Sequence, residues 1–150
     1  MKYEHTHFGW VTLGSLGGGL LFCLISYFCL GYKPVFLLPA AILLVAVVLF
    51  PTLSVRLDDE RLVCSFGFGL ITRTIAIADI AAAEAVSNKW YWGWGIRITP
   101  RGWLWNVSGL KAVELTFQNG KHFRIGTDNP EQLAGALNQS IAHLALQPER

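Results

Sequence analysis

Two charge-free apolar runs near the N-terminus constrain this chain more than any other feature. From Phe8 to Tyr32 there are 25 residues without a formal charge, and from Pro34 to Val55 another 22, with Lys33 alone between them. A helix rises ~1.5 Å per residue against a hydrocarbon core of ~30 Å, so ~20 residues suffice for a crossing and both runs are long enough. Composition agrees, because 53% hydrophobic and 15% charged residues are too apolar for an ordinary soluble domain. The sequence therefore predicts an integral membrane protein, with a two-helix transmembrane hairpin over residues 8–51 and a second domain over 52–147.

Gly31, Tyr32, Lys33 and Pro34 form a stop and restart signal, since glycine suits the position after a helix end and proline the first turn of the next helix. Pro39 is expected to kink the second helix mildly. A cleaved signal peptide fits poorly, because the first apolar run is too long and no small-x-small site follows it. Lys2, Arg56 and Arg61 lie on one side of the spans and Lys33 on the other, which predicts a multi-pass protein of the inner (cytoplasmic) membrane with both termini cytoplasmic. Gly14 with Gly18 and Ser15 with Gly19 are small-xxx-small pairs. They suit packing within the hairpin or, alternatively, a homodimer seam.

After Pro51 the pattern changes to short alternating runs. LSVRLD, LVCSF, ITRTIAI, IAAAEAV, WGIRIT, KAVELTF and KHFRIG read as seven strands. Asp58, Asp59 and Glu60 make a polar turn, Gly67 and Gly69 a bulge or turn, and Asn119-Gly120 a two-residue hairpin. Asn129, Pro130 and Gln132 open a final helix in the manner of a capping box, with Leu133, Leu137, Ile141 and Leu144 along one face. Seven strands in hairpin succession followed by one amphipathic helix is the order of the pleckstrin-homology-like barrel, whose helix plugs one open end. The segments VRLDDERLVCSFGFGLITRTIAIADIAAAEAV, WYWGWGIRITPRGWLWNVSGLKAVELTF and NGKHFRIGTDNPEQLAGAL resemble bacterial membrane-anchored proteins that carry such a PH-like domain behind a helical hairpin. The resemblance covers residues 51–147, with GWGIRITPRGWLWNVSG its most specific piece. It implies a seven-stranded PH-like barrel closed by the C-terminal helix and says little about activity.

No enzyme motif is present: there is no G-x-S-x-G, H-E-x-x-H, C-x-x-C or phosphate-cradling glycine loop. Ser65, Ser87 and Ser108 lack a nucleophile elbow. The acids at 58–60 point apart into water at a turn tip, where nothing splits their pKa values. His5 and His7 read as a solvated or interfacial tail, and His122 and His143 as surface residues. Cys23, Cys29 and Cys64 give neither a disulfide framework nor metal spacing. No cofactor, metal or catalytic residue is expected, and a net charge of +2 offers no footprint for nucleic acid.

The one unusual constellation is aromatic. Trp90, Trp92, Trp94, Trp103 and Trp105 fall within sixteen residues together with Tyr91, interleaved with Lys89, Arg97 and Arg101. Alternation places Trp94, Ile96 and Ile98 inward and leaves Trp90, Tyr91, Trp92, Trp103 and Trp105 on loops or a short hairpin. Such rings can anchor at the headgroup layer, serve as a protein-binding hot spot with the arginines, or pack as a small core of their own. The net acidic loop Asp58-Asp59-Glu60-Arg61 argues against phosphoinositide binding. The expected function is a non-enzymatic, membrane-tethered binding or scaffold module that engages a protein partner or the membrane surface through its tryptophan-rich loops. The alternative is an accessory subunit of a larger membrane complex or enzyme, docked through the glycine-rich first helix.

Overall fold

The computed structural model describes residues 3–147; Lys2, one of the residues in the basic count, lies outside them. Helix α1 (Trp10–Cys29) leads through a 3-10 turn at Pro34–Phe36 into the shorter α2 (Leu37–Leu49). The two lie against each other as an arm in which the buried residues are Cys23 and Ala40. The expected two-span hairpin is not what forms. Among the described residues, α1 is the one helix long and apolar enough to cross a membrane, by length and composition. The 13 residues of α2 rise only about 20 Å. The charge-free run overstated the second helix because Pro34–Phe36 is spent on a turn and everything after Pro51 is strand. Leu53 and Val55, in the charge-free run by count but read as a strand by alternation, are core residues of a sheet. Pro39 falls in the first turn of α2, where helix N–H groups have no intrahelical partner to lose.

Among the described residues, nine strands form two sheets. The first has the order β1-β2-β3-β4, antiparallel throughout, from Tyr3–Phe8, Thr52–Leu57, Arg61–Phe66 and Ile71–Ala76. The second comprises β5 (Ile80–Ser87), β6 (Gly95–Thr99), β7 (Gly102–Asn106), β8 (Lys111–Phe117) and β9 (His122–Gly126), in the order β5-β8-β9-β7-β6. Both sheets are open, so the expected closed seven-stranded barrel is corrected. Two strands lie outside the seven alternating segments: β1 in the supposed tail and β7 in the tryptophan segment. Strand β9 inserts beside β7 and runs parallel to it, which breaks hairpin succession. A 3-10 turn at Ile77–Asp79 carries the chain from one sheet to the other without pairing β4 to β5.

The hairpin between β8 and β9 also differs in register from a two-residue turn. Thr116 pairs with His122 and Glu114 with Arg124, while the Phe117 N–H donates to the Lys121 carbonyl at 2.9 Å. The loop therefore holds three residues, Gln118 to Gly120, and Gly120 has φ 80° as its last member.

Between the sheets, Leu53, Leu57, Leu62, Phe66, Leu115, Phe123 and Ile125 are fully buried. Helix α3 (Pro130–Ala145) adds Leu133 and Leu137, with Ile141 and Leu144 against the cluster, as its apolar stripe requires. Asn129 makes no side-chain cap; instead the Thr127 hydroxyl accepts from the Asn129 N–H at 3.3 Å. The Asn138 amide bonds both the N–H and the carbonyl of Ala83, at 3.1 and 2.8 Å, and so satisfies the open edge of β5.

The arm is bolted to the domain. Phe8 and Thr52 are cross-strand neighbours, so the arm leaves and returns at one end of the first sheet. The Gly9 N–H donates to the Pro51 carbonyl at 2.9 Å and the Thr12 hydroxyl donates to the Val107 carbonyl. A Cβ on Gly9 would lie 2.9 Å from the Val107 Cβ. Gly67, at φ 53°, abuts the end of α2 so closely that a Cβ there would lie 2.6 Å from the Leu49 carbonyl oxygen. From this junction the rings of Phe50, Phe66, Trp105 and Phe123 follow one another into the core at centroid spacings of 5.3, 5.2 and 5.8 Å.

Candidate functional site

The tryptophan segment does not form one surface; the folding of sheet two distributes it over four environments. Trp105, expected on a loop, belongs to β7 and is core, 7% exposed between Phe66 and Phe123. It faces inward because β7 pairs in parallel with β9, which puts Trp105 level with Ile125 and Trp103 level with Phe123. Trp103, on the same face at the β6–β7 turn end of the strand, stays exposed beside its cross-strand neighbour Ile98, itself 75% exposed. Ile98 was expected inward; of its strand, Ile96 packs against the core. Among the described residues, strand β6 carries no neighbour on its other side.

Trp90, Tyr91 and Trp92 form a 3-10 turn between β5 and β6. Trp90 and Tyr91 point into solvent, whereas the Trp92 ring covers the Arg124 guanidinium at 4.9 Å. Trp94 donates from Nε1 to the Gly109 carbonyl at 3.2 Å. Arg97 bends back so that its Nε donates to the Trp94 carbonyl at 3.0 Å.

Beneath Trp92 lies a charge cluster that sequence reasoning missed. Arg124 is buried, and its Nε donates to Glu114 at 2.5 Å and its guanidinium to Asn88 Oδ1 at 3.1 Å. Arg101 donates to the other Glu114 oxygen at 3.2 Å, and His122 Nδ1 stands 3.6 Å from it. Burial pushes the Glu114 carboxyl up, but the hydrogen bonds and charges of Arg124 and Arg101 outweigh it and hold the carboxyl below its ordinary value. Arg101 is thus an ion-pair partner at the cluster's rim. The polar outward positions of KAVELTF and KHFRIG carried the signal, because the observed three-residue turn sets Glu114 opposite Arg124. A two-residue turn would have set them one step apart.

His5 and His7, expected as a tail, stand on β1. His5 Nε2 pairs with Asp128 at 2.5 Å, and His7 Nε2 meets the Ser108 hydroxyl at 3.1 Å while its buried Nδ1 has no partner. Burial lowers the His7 pKa. Among the described residues no group of three His, Cys, Asp or Glu side chains is placed to hold a metal ion. Cys64 is buried in sheet one, with its thiol pushed up to about 12 by desolvation.

On the arm, Gly14 and Gly18 have nothing within 4 Å of where a Cβ would stand, while a Cβ on Gly19 would lie 3.3 Å from Leu43. Close approach to α2 is therefore made by Gly19, and the Gly14 and Gly18 face is open. No family model matches this chain, and neither a curated protein nor a solved structure matches it.

Proposed function

We propose that the protein is a non-enzymatic, membrane-tethered binding module of the inner membrane. Its apolar arm is immersed in lipid, and its two-sheet domain is held at the cytoplasmic face. The observation that carries this reading is the contrast within α1, which is apolar along its length, buries only Cys23, and yet is fixed at its base to a folded domain. A helix of a soluble core would bury its apolar face; among the described residues this one has little beyond α2 against it, and Leu21, Phe22, Ile25 and Phe28 stand exposed. Because β1 and β2 pair, the two segments that flank the arm both lie on its domain side, which groups Arg56 and Arg61 there and leaves Lys33 at the arm's tip. That basic distribution supports the cytoplasmic orientation.

The binding surface for a protein partner is the open β6 edge with Ile98 and Trp103, where unpaired backbone groups and exposed apolar side chains adjoin. The test is membrane fractionation followed by partner capture. The full chain should resist alkaline carbonate and yield to detergent. Its partner should be lost with Ile98→Ser plus Trp103→Ser while the melting temperature is kept. Release by carbonate alone overturns the tether, and a partner retained by the double variant overturns the surface. The second reading, an accessory subunit docked through α1, is favoured by the open Gly14 and Gly18 face. It predicts instead that Gly14→Leu or Gly18→Leu abolishes stoichiometric co-purification.

A further inference from the structure

Three loops converge on the base of the arm, and their composition is unlike that of loops elsewhere in the domain. The β3–β4 turn, Gly67 to Leu70, is clamped under α2 by the contact of Gly67 with Leu49. The β7–β8 loop touches α1 through Val107 and β1 through Ser108, whose hydroxyl lies 3.2 Å from the Phe8 carbonyl. The β5–β6 connection joins it, with the Asn88 N–H donating to the Leu110 carbonyl at 2.6 Å.

Turn tips are ordinarily polar, as the opposite end of the domain shows with Asp58, Asp59 and Glu60 between β2 and β3. About 20 Å of strand separates that turn from the arm. At the arm end, by contrast, the tips carry Phe68, Leu70, Leu110 and Trp90, of which Phe68 is 83%, Leu70 71% and Trp90 76% exposed. Trp10 at the start of α1, stacked on Phe8 at 6.1 Å, continues the same ring of apolar side chains. These three loops contain no acidic residue and include Lys89, with Lys111 adjoining; the nearby acids stand at the start of α3, Asp128 paired with His5 and Glu131 beside Lys111.

We propose that these loops are an apolar foot that seats the domain on the bilayer surface around the emerging arm, with the rings and leucines at headgroup depth. The occupant is lipid because the foot is continuous with the apolar arm and its loops carry Lys89 and no acid, which suits an anionic leaflet. The inference rests on the membrane reading of the arm. It adds that the domain is docked in one orientation, acidic turn outward and β6 edge free at the side, rather than swinging on a tether.

The test uses the full chain with Cys23 and Cys29 replaced by serine; Cys64 stays, since it is fully buried and out of reach of the labelling reagent. Single cysteines at 22, 68, 110 and 119 carry an environment-sensitive fluorophore, in vesicles of three parts phosphatidylcholine to one of phosphatidylglycerol. Spin-labelled lipids serve as quenchers. The foot predicts that 68 and 110 are quenched severalfold more by headgroup-depth than by deep spin labels, that 22 shows the reverse, and that 119 is not quenched. Probes at 68 and 110 as water-exposed as 119, with 22 still quenched, overturn the foot and leave the membrane reading standing. An unquenched probe at 22 overturns the membrane reading itself. Blue-shifted but unquenched probes at 68 and 110 assign the surface to protein, and overturn lipid as its occupant.

Discussion

The arm and the two-sheet domain are built from similarly apolar residues and treat them in opposite ways. In the domain, alternating strands send Leu53, Leu62, Leu115 and Phe123 to a shared interior and their neighbours to water. In the arm, Phe22, Leu38, Ile42 and Val45 stand exposed on helices whose mutual seam buries little beyond Cys23 and Ala40. One solvent cannot suit both. The difference teaches that the domain's stability is internal, while the arm's depends on what surrounds it.

The largest expected effect breaks the two regions apart. Replacing residues 10–50 by a short glycine-asparagine turn should give a domain that remains folded, because Phe8 and Thr52 already lie side by side, and that alkaline carbonate now strips from the membrane. Circular dichroism and fractionation check both halves. A shorter chain starting at residue 52 should fare worse, since it strips β1 from β2 along with the His5 and His7 contacts.

Within the domain, Trp105→Ala should cost about 3–5 kcal/mol and Leu137→Ala about 2–5 kcal/mol in urea unfolding of that arm-free form. Trp90→Ala should cost below about 0.5 kcal/mol, as surface substitutions do. Equal losses at 90 and 105 would mean that the segment packs as one small core after all. Glu114→Ala leaves Arg124 buried without its carboxylate partner and should cost about 3 kcal/mol.

The carboxylate also gives a pH signature. Because the folded pKa of Glu114 lies below its ordinary 4.5, its contribution is present above that value and lost as pH falls through the folded one. Acid unfolding of Glu114→Gln should lack this component. The smallest effect belongs to His7. Its folded pKa is lowered, so stability is full above the ordinary 6.5 and declines as pH drops below it toward the folded value. His7→Gln should flatten that decline, read as urea midpoints between pH 7 and 5.

Hydropathy and alternation alone determined that this chain has an apolar N-terminal third and a strand-rich remainder with one amphipathic closing helix. Those signals are local: a 3.6-residue or two-residue period is written in consecutive residues and survives without knowledge of neighbours. How far the second apolar run stays helical was decided elsewhere, because a count of uncharged residues does not mark Pro34–Phe36 as a turn. Alternation already makes LSVRLD a strand, and tertiary structure supplies its partner, with Leu53 opposite Phe66 and Val55 opposite Cys64. The same holds for β1, whose Tyr-Glu-His-Thr-His-Phe pattern is polar enough to read as a tail and becomes a strand through β2, distant in sequence and adjacent in space. The fates of Trp92, Trp103 and Trp105 were decided by strand order: β9 inserts beside β7 in parallel, a non-local pairing that leaves no trace in the spacing of tryptophans. Tertiary structure also assembled Glu114, Arg124, Asn88 and Arg101. A buried ion pair needs register, and register was set by a turn that holds one residue more than its sequence advertises.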